Sequence, residues 1–263
     1  MRENKHPPEK EKIDDDLIYG RHTVLSALTG GRTLNRIWVV ANLRYSADFL
    51  PLINTAKENG AVIDEVDYKR LNQLTNFGRH QGIAAQVSSY EYYALEEFIP
   101  LALAKSSHPL VIIADGINDP QNLGSIIRSG EALGAQGLII PQRRAVGITS
   151  AVAKVAAGAL EYFPVCRVVN LTRAIEVLKE KGFWIYGTVL AGGKPIYSVS
   201  LDGAIGLVIG SEGEGISLLV QKNCDGLVSI PLEGKTESLN ASVATGIALY
   251  EIARQRSTDR LRA

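Results

Sequence analysis

The sequence predicts an α/β protein of two layered domains, the larger one around a parallel sheet. Three observations carry that reading. Short apolar runs alternate with amphipathic stretches from Leu17 onward, and the runs become continuous and richer in glycine after Pro109. Of the 263 residues, 46% are apolar, enough to bury sizeable cores. Ahead of this pattern, residues 1–16 hold ten charges and two prolines, a composition that cannot offset its ordering entropy and reads as a disordered tail.

The elements follow in chain order. Residues 17–88 predict a helix over 20–28, a strand over 36–41, a helix over 46–59, and strands over 61–66 and 82–88, a small α/β domain. Residues 89–107, with Glu91, Glu96, Glu97 and Pro100, read as a connector containing a helical turn or two. Residues 108–263 form the second domain, with strands predicted over 110–114, 137–140, 183–189, 205–209 and 227–230. Nearly all of these are continuous apolar runs of the kind buried on both faces of a sheet. Helices fall between them. Asp119-Pro120 supplies an N-cap and first-turn proline for a helix through Leu133. Ser238 or Asn240 caps a last helix, whose Val243, Ala244, Ile247, Ala248 and Ile252 recur at helical spacing up to Arg256.

Composition excludes several functional classes. Cys166 and Cys224 lie far apart and outside any C-x-x-C pair, and His6, His22, His80 and His108 show no ligand spacing. Neither a disulfide scaffold nor a metal site is expected. No run reaches the roughly 18 apolar residues of a membrane span, and the N-terminus is charged where a signal peptide is apolar. A soluble chain in a reducing cytoplasm is expected. The 28 Lys and Arg balance 28 Asp and Glu, which taken as a whole argues against a nucleic-acid partner.

Three polar, glycine-bearing segments each follow a predicted strand: residues 115–128, 209–215 and 230–244. Known nucleotide motifs fail here. Gly210, Gly213 and Gly215 lack the G-x-G-x-x-G spacing, Gly234-Lys235-Thr236 has Ser229 where a phosphate loop needs its first glycine, and no G-x-S-x-G elbow occurs. Taken singly, Arg128 reads as a solvated helix residue, Asn122 as a turn residue, Glu212 as an exposed turn carboxylate, Ser238 and Asn240 as caps, and His80 as a surface loop residue. Together, three such loops at corresponding strand ends of a parallel sheet read as a ligand site.

Asn122-x-Gly124-x-x-x-Arg128, Gly210-x-Glu212-Gly213-x-Gly215 and Ile230-Pro231-x-x-Gly234-x-x-x-Ser238-Leu239-Asn240-x-Ser242-Val243-Ala244 resemble the three ordered motifs of the SpoU (TrmH) family of RNA ribose 2'-O-methyltransferases. The likeness covers about residues 108–256, and Tyr19-Gly20-Arg21-His22-x-Val24 with His80-Gln81-Gly82-Ile83 extends it over the N-terminal domain. The resemblance implies a C-terminal SPOUT-type sheet with a deep trefoil knot, a feature that general topology rules would discard, and an L30e-like N-terminal domain that grips RNA. It implies S-adenosylmethionine as methyl donor and a homodimer with the active site at the subunit interface. It places Arg128, Asn122, Glu212, Ser238 and Asn240 at the catalytic centre, and Thr188, Gly210, Ile230, Ser238 and Leu239 around the cofactor.

Ala241 stands where the family commonly carries a larger apolar residue, a departure that concerns packing. The two-domain layout is similar to members that methylate a guanosine of 23S rRNA, free or in a large-subunit assembly intermediate. Members acting on tRNA, antibiotic-resistance rRNA methylases and a non-catalytic assembly factor on the same scaffold are the alternatives. Arg21, Arg36, Arg79 and His80 are the candidate RNA contacts, beside Arg32 and Arg44. Charge by segment fits this assignment: residues 1–16 carry 4 positive and 6 negative charges, 17–88 carry 8 and 5, 89–107 carry 1 and 3, and 108–263 carry 15 and 14. RNA binding is then expected to use a local arginine surface and shape, with a modest salt slope.

Overall fold

The computed structural model describes residues 16–260, so the predicted tail lies outside the described residues except for Asp16. The chain divides at Ser88/Ser89 into two compact units. In the first, β1 (Leu17–Tyr19) leads through Gly20 into α1 (Arg21–Thr29), followed by β2 (Leu34–Val39), α2 (Ala41–Arg44), α3 (Leu50–Glu58), β3 (Val62–Glu65), α4 (Tyr68–Leu74) and β4 (Ile83–Val87). Their sheet runs β1-β4-β2-β3, with β2 and β3 parallel and β4 antiparallel to both β1 and β2. Val24, Ile37, Ile53, Leu71 and Ile83 close the core. The helix predicted over 46–59 is present but starts later, at Leu50, and the short α2 ahead of it lies outside the predicted range. Pro51 favours a first-turn position, which moves the start of α3 to Leu50, and the Ser46 hydroxyl donates to the Leu43 carbonyl just past the end of α2. Helix α4 buries only Leu71 and so shows no apolar period in the sequence.

The second unit begins earlier than the predicted domain. Residues 89–107 carry α5 (Leu95–Lys105), which buries Phe98, Ile99 and Ala102. Ahead of it, the Val165 and Ile148 amides donate to the hydroxyls of Tyr90 and Tyr92 at 3.0 and 2.7 Å. The segment read as a connector is therefore packed structure. Glu96, Glu97 and Pro100 mask that in the sequence because they lie on the exposed side of the helix. Then follow β5 (Leu110–Asp115), α6 (Pro120–Ala132), β6 (Gly137–Pro141), α7 (Ser150–Ala156), β7 (Val165–Val168), α8 (Leu171–Glu180), β8 (Trp184–Thr188), β9 (Lys194–Pro195), β10 (Ile205–Gly210), α9 (Leu218–Asn223), β11 (Gly226–Ser229) and α10 (Ala241–Arg260).

The seven strands are all parallel, in the order β7-β6-β5-β10-β8-β11-β9. Alternation along each strand explains the continuous apolar runs. Leu110, Ile112, Leu207 and Ile209 face one core with α6, α7 and α10, while Val111, Ile113 and Val208 face the other with α5, α8 and α9. The close approach of α7 to α6 depends on Gly124, where a Cβ would lie 2.6 Å from the Val155 Cβ. Asp119 caps α6 by accepting from the Gln121 amide, as its sequence predicts.

Candidate active site

Strands β5, β10, β8 and β11 are neighbours, so the loops that follow them meet at one sheet edge. The loop after β10 is closed on itself: Ser211 and Gly215 exchange two backbone hydrogen bonds, and the Glu214 amide donates to the Ser211 hydroxyl. Gly210 is required there, because a Cβ would sit 2.1 Å from the Gly215 carbonyl carbon. Asp115, the last residue of β5, accepts from the Ser217 amide at 2.8 Å and ties the loop to the neighbouring strand. Sequence reasoning gave Asp115 no role, although it opens the first polar segment.

This loop presents Glu212 to residues from two other segments. The Glu212 Oε1 accepts from Asn122 Nδ2 at 2.9 Å, from Asn240 Nδ2 at 2.5 Å and from the Ala241 amide at 3.3 Å. Asn240 also donates to the Asn122 Oδ1 at 2.8 Å. The amide orientation follows from the helix start. Asn240 is the N-cap of α10, its Oδ1 accepting from the Ser242 and Val243 amides and the Ser242 hydroxyl, which leaves Nδ2 to face Glu212. The choice between Ser238 and Asn240 as cap thus falls to Asn240. Asn122 lies 90 residues from Glu212 and 118 from Asn240, and the three are joined only by the fold. The Glu212 Oε2 carries no partner among the described residues.

Beside this triad lies a cavity of about 350 Å³, bounded by the loops after β8, β10 and β11. Thr188, Gly210, Ile230, Ser238 and Leu239 all line it, and Glu212 stands on its wall. Its lining joins apolar side chains such as Leu227 and Leu232 to glycine backbone, a mixture typical of a pocket for a partly polar small molecule. The Thr188 hydroxyl donates to the Val208 carbonyl at 3.0 Å, pinning β8 to β10 where the cavity begins. Gly193 carries the loop after β8 across β11, where a Cβ would lie 2.8 Å from the Val228 carbonyl carbon.

Arg128 stands apart from the triad. Six residues beyond Asn122 on α6, it lies about 9 Å farther along the axis and about 120° around it. It is exposed and makes no hydrogen bond or ion pair among the described residues. Neither thiol offers an alternative nucleophile, since burial pushes Cys166 up to about 12 and Cys224 up to about 11. Among the described residues no group of His, Cys, Asp and Glu could hold a metal ion, and no helix is long and apolar enough to cross a membrane.

Comparison with known proteins bears on these loops directly. The model of the SpoU rRNA methylase family matches residues 109–250, and a model described as RNA 2'-O ribose methyltransferase substrate binding matches residues 17–93. The chain belongs to the SpoU methylase family. Among its relatives, an uncharacterized tRNA/rRNA methyltransferase of Synechocystis is 59% identical over 97% of this chain and 67% of its own length. YacO of Bacillus subtilis, named as a TrmH family tRNA/rRNA methyltransferase, is 42% identical over 92% of this chain and 96% of its own. The crystal structure of the SpoU methyltransferase AviRb from Streptomyces viridochromogenes, in complex with the cofactor AdoMet, is 27% identical with a TM-score of 0.58, covering 92% of this chain and 90% of that one. The SPOUT-type α/β class, with its parallel sheet and small N-terminal α/β domain, agrees with the sequence reading.

In the N-terminal unit of this SpoU protein the candidate RNA contacts separate into two groups. Arg21 and Arg79 are exposed, and neither side chain has a partner among the described residues. Arg36 is paired with Asp64 at 2.8 Å and lies over the Trp38 ring. His80, expected on the surface, is instead only 5% exposed. Its Nδ1 accepts from the Gly82 amide at 3.1 Å, so Nε2 carries the proton that bonds Asn72 Oδ1 at 3.0 Å. With both ring nitrogens engaged, His80 shapes the turn before β4 and presents no face to a ligand. Burial holds its pKa below the usual histidine value.

Proposed function

We propose that this chain transfers a methyl group from S-adenosylmethionine to the ribose 2'-hydroxyl of an RNA nucleotide, a guanosine of 23S rRNA, in the cytoplasm. The observation that carries the reading is the joining of Asn122, Glu212 and Asn240 at the rim of the loop cavity. The cavity suits the donor. Its volume of about 350 Å³ falls in the range of small-molecule sites, and the steric demand for glycine at Gly210 keeps backbone groups at its surface. Thr188, Gly210, Ile230, Ser238 and Leu239 would hold the cofactor, which when bound supplies an electrophilic methyl group.

The chain's own part is to position and polarise the attacking hydroxyl. Arg128 binds the adjoining phosphate and the 2'-oxygen, stabilising negative charge as it develops there. A guanidinium is a hydrogen-bond donor with no acceptor, so Arg128 suits this task better than that of a base. Glu212 orients Asn122 and accepts from Asn240 through Oε1, and its open Oε2 stands ready to accept a hydrogen bond. Asn122 fixes the ribose by its amide, and Ser238 and Asn240 separate cofactor from substrate.

A second copy of the chain completes the site. Val243, Ile247 and Tyr250 recur along one stripe of α10 and are 50%, 40% and 61% exposed, an apolar face suited to a homodimer. The unpartnered Arg128 is consistent with a site finished across that interface. A knotted thread is supported by the path of the last segment. Asn240 bonds the first turn of α6 and the loop after β10, while Gln255 bonds the Leu201 amide and the Val199 carbonyl.

The test is incubation of the purified chain with labelled methyl donor and either 23S rRNA or tRNA. Label in 23S rRNA, mapped to the ribose of a guanosine, supports the proposal in full. Label confined to tRNA retains the chemistry and moves the substrate, and cofactor binding with transfer to neither RNA favours an assembly factor.

A further inference from the structure

One residue of the N-terminal unit is held in a conformation that its own side chain disfavours. Helix α4 ends in a paired cap: the Phe77 amide donates to the Asn72 carbonyl at 2.7 Å and the Asn76 amide to the Gln73 carbonyl. This is the hydrogen-bond pattern of a Schellman cap, and Asn76 takes the left-handed position, with φ +51°, that the cap requires. Asn tolerates that conformation. The next residue does not share that tolerance. Phe77 has φ +61°, an outlier for a bulky side chain. An apolar residue at this point of such a cap ordinarily packs back on the helix. Phe77 does the opposite, with 80% of its surface exposed.

The surroundings fix this geometry from three sides. Gly78 lies against Tyr19, where a Cβ would come within 2.7 Å of the ring. His80 bonds Asn72 of the helix and Gly82 of the following turn. Gln81, also left-handed at φ +52°, accepts from the Arg21 amide. The aromatic ring is therefore displayed from a rigid turn. Its charge setting has one sign: residues 68–90 contain Lys69, Arg70 and Arg79 and no Asp or Glu. The nearest preceding acid, Asp67, is occupied as the N-cap of α4. Arg79 and Lys69 are exposed and have no partner among the described residues.

We infer that Phe77 is a stacking platform for an unpaired base of the RNA substrate, with Arg79 meeting the adjoining phosphate. Base faces stack on aromatic rings whatever their sequence, and a duplex offers no free face, so this contact selects a loop or bulge over a helix. An exposed ring alone would suit a protein partner equally. The wholly cationic segment favours a polyanion. The inference rests on the reading of this chain as an RNA methyltransferase and adds the residue by which it recognises unpaired structure.

The experiment compares wild type with Phe77→Ala, Phe77→Gly and Phe77→Trp in filter-binding and methyl-transfer assays on a 23S rRNA transcript and on mixed tRNA. In Phe77→Ala, Kd and KM for the RNA bound by wild type rise about five- to a hundredfold, while kcat at saturating RNA stays within about twofold. Phe77→Trp retains wild-type affinity. Phe77→Gly weakens binding like alanine yet raises Tm, because glycine suits the left-handed backbone. If both small variants bind RNA as wild type does, the stacking role is overturned while the proposed function stands. If wild type itself neither binds nor methylates either RNA, the proposed function falls and the inference falls with it.

Discussion

Removing the Glu212 carboxylate tests the triad most sharply, because one oxygen holds three donors from two segments. Glu212→Ala strands Asn122 Nδ2, Asn240 Nδ2 and the Ala241 amide. A hydrogen bond to a charged acceptor contributes about 1.5–3 kcal/mol when buried. Glu212 and Asn240 are exposed and Asn122 is half-buried, so water replaces much of what is lost. A net cost of about 1–2 kcal/mol remains, equivalent to a Tm lowered by roughly 2–8 °C for a chain of this size. Transfer suffers more. Once Asn122 loses its bond to Glu212, misplacement of a reacting group by about 1 Å costs on the order of a hundredfold in rate. Glu212→Gln keeps an acceptor oxygen for the same donors and retains most of the Tm. The assays are calorimetry of both variants and single-turnover methyl transfer. Wild-type Tm and rate in Glu212→Ala would refute the triad as the organising element of the site.

Three further outcomes are expected. Arg128→Ala leaves cofactor binding by calorimetry unchanged, since the residue stands away from the cavity lining, and lowers transfer by at least about a hundredfold; undiminished activity removes Arg128 from the mechanism. Gly210→Ala forces a Cβ to within 2.1 Å of backbone that cannot yield, so cofactor affinity collapses and stability falls by at least the ~1–3 kcal/mol typical of overpacking. His80 titrates below the ordinary histidine value, so the unfolded chain binds the proton first and the contribution of His80 to stability, complete above about pH 6.5, is lost as pH falls further. An NMR titration of the His80 ring that gives a pKa above 6.5 contradicts the buried, neutral tautomer.

The central strands were legible because burial on both faces leaves a continuous apolar run, as at Leu110–Asp115 and Ile205–Gly210. The strand Val165–Val168 was missed: it is only four residues long and is interrupted by Arg167, whose guanidinium leaves the sheet to lie over Tyr92. Helix α5 was hidden by its polar side. The site was legible in part. Polar residues and glycines after strands marked the loops, but pairing between them depends on the order β5-β10-β8-β11, which no local pattern encodes. For the same reason Asp115 escaped notice, its partner Ser217 lying 102 residues away. Phe77 was unremarkable as a letter in a loop. It stands out only once its backbone angle and exposure are known.

The most direct test is mass spectrometry of nucleosides from 23S rRNA treated with the enzyme and methyl donor. A single new nucleoside carrying its methyl on the ribose is expected, present with wild type and absent with Arg128→Ala. A methyl on the base, or a ribose product formed equally well by the Arg128 and Glu212 variants, would contradict it.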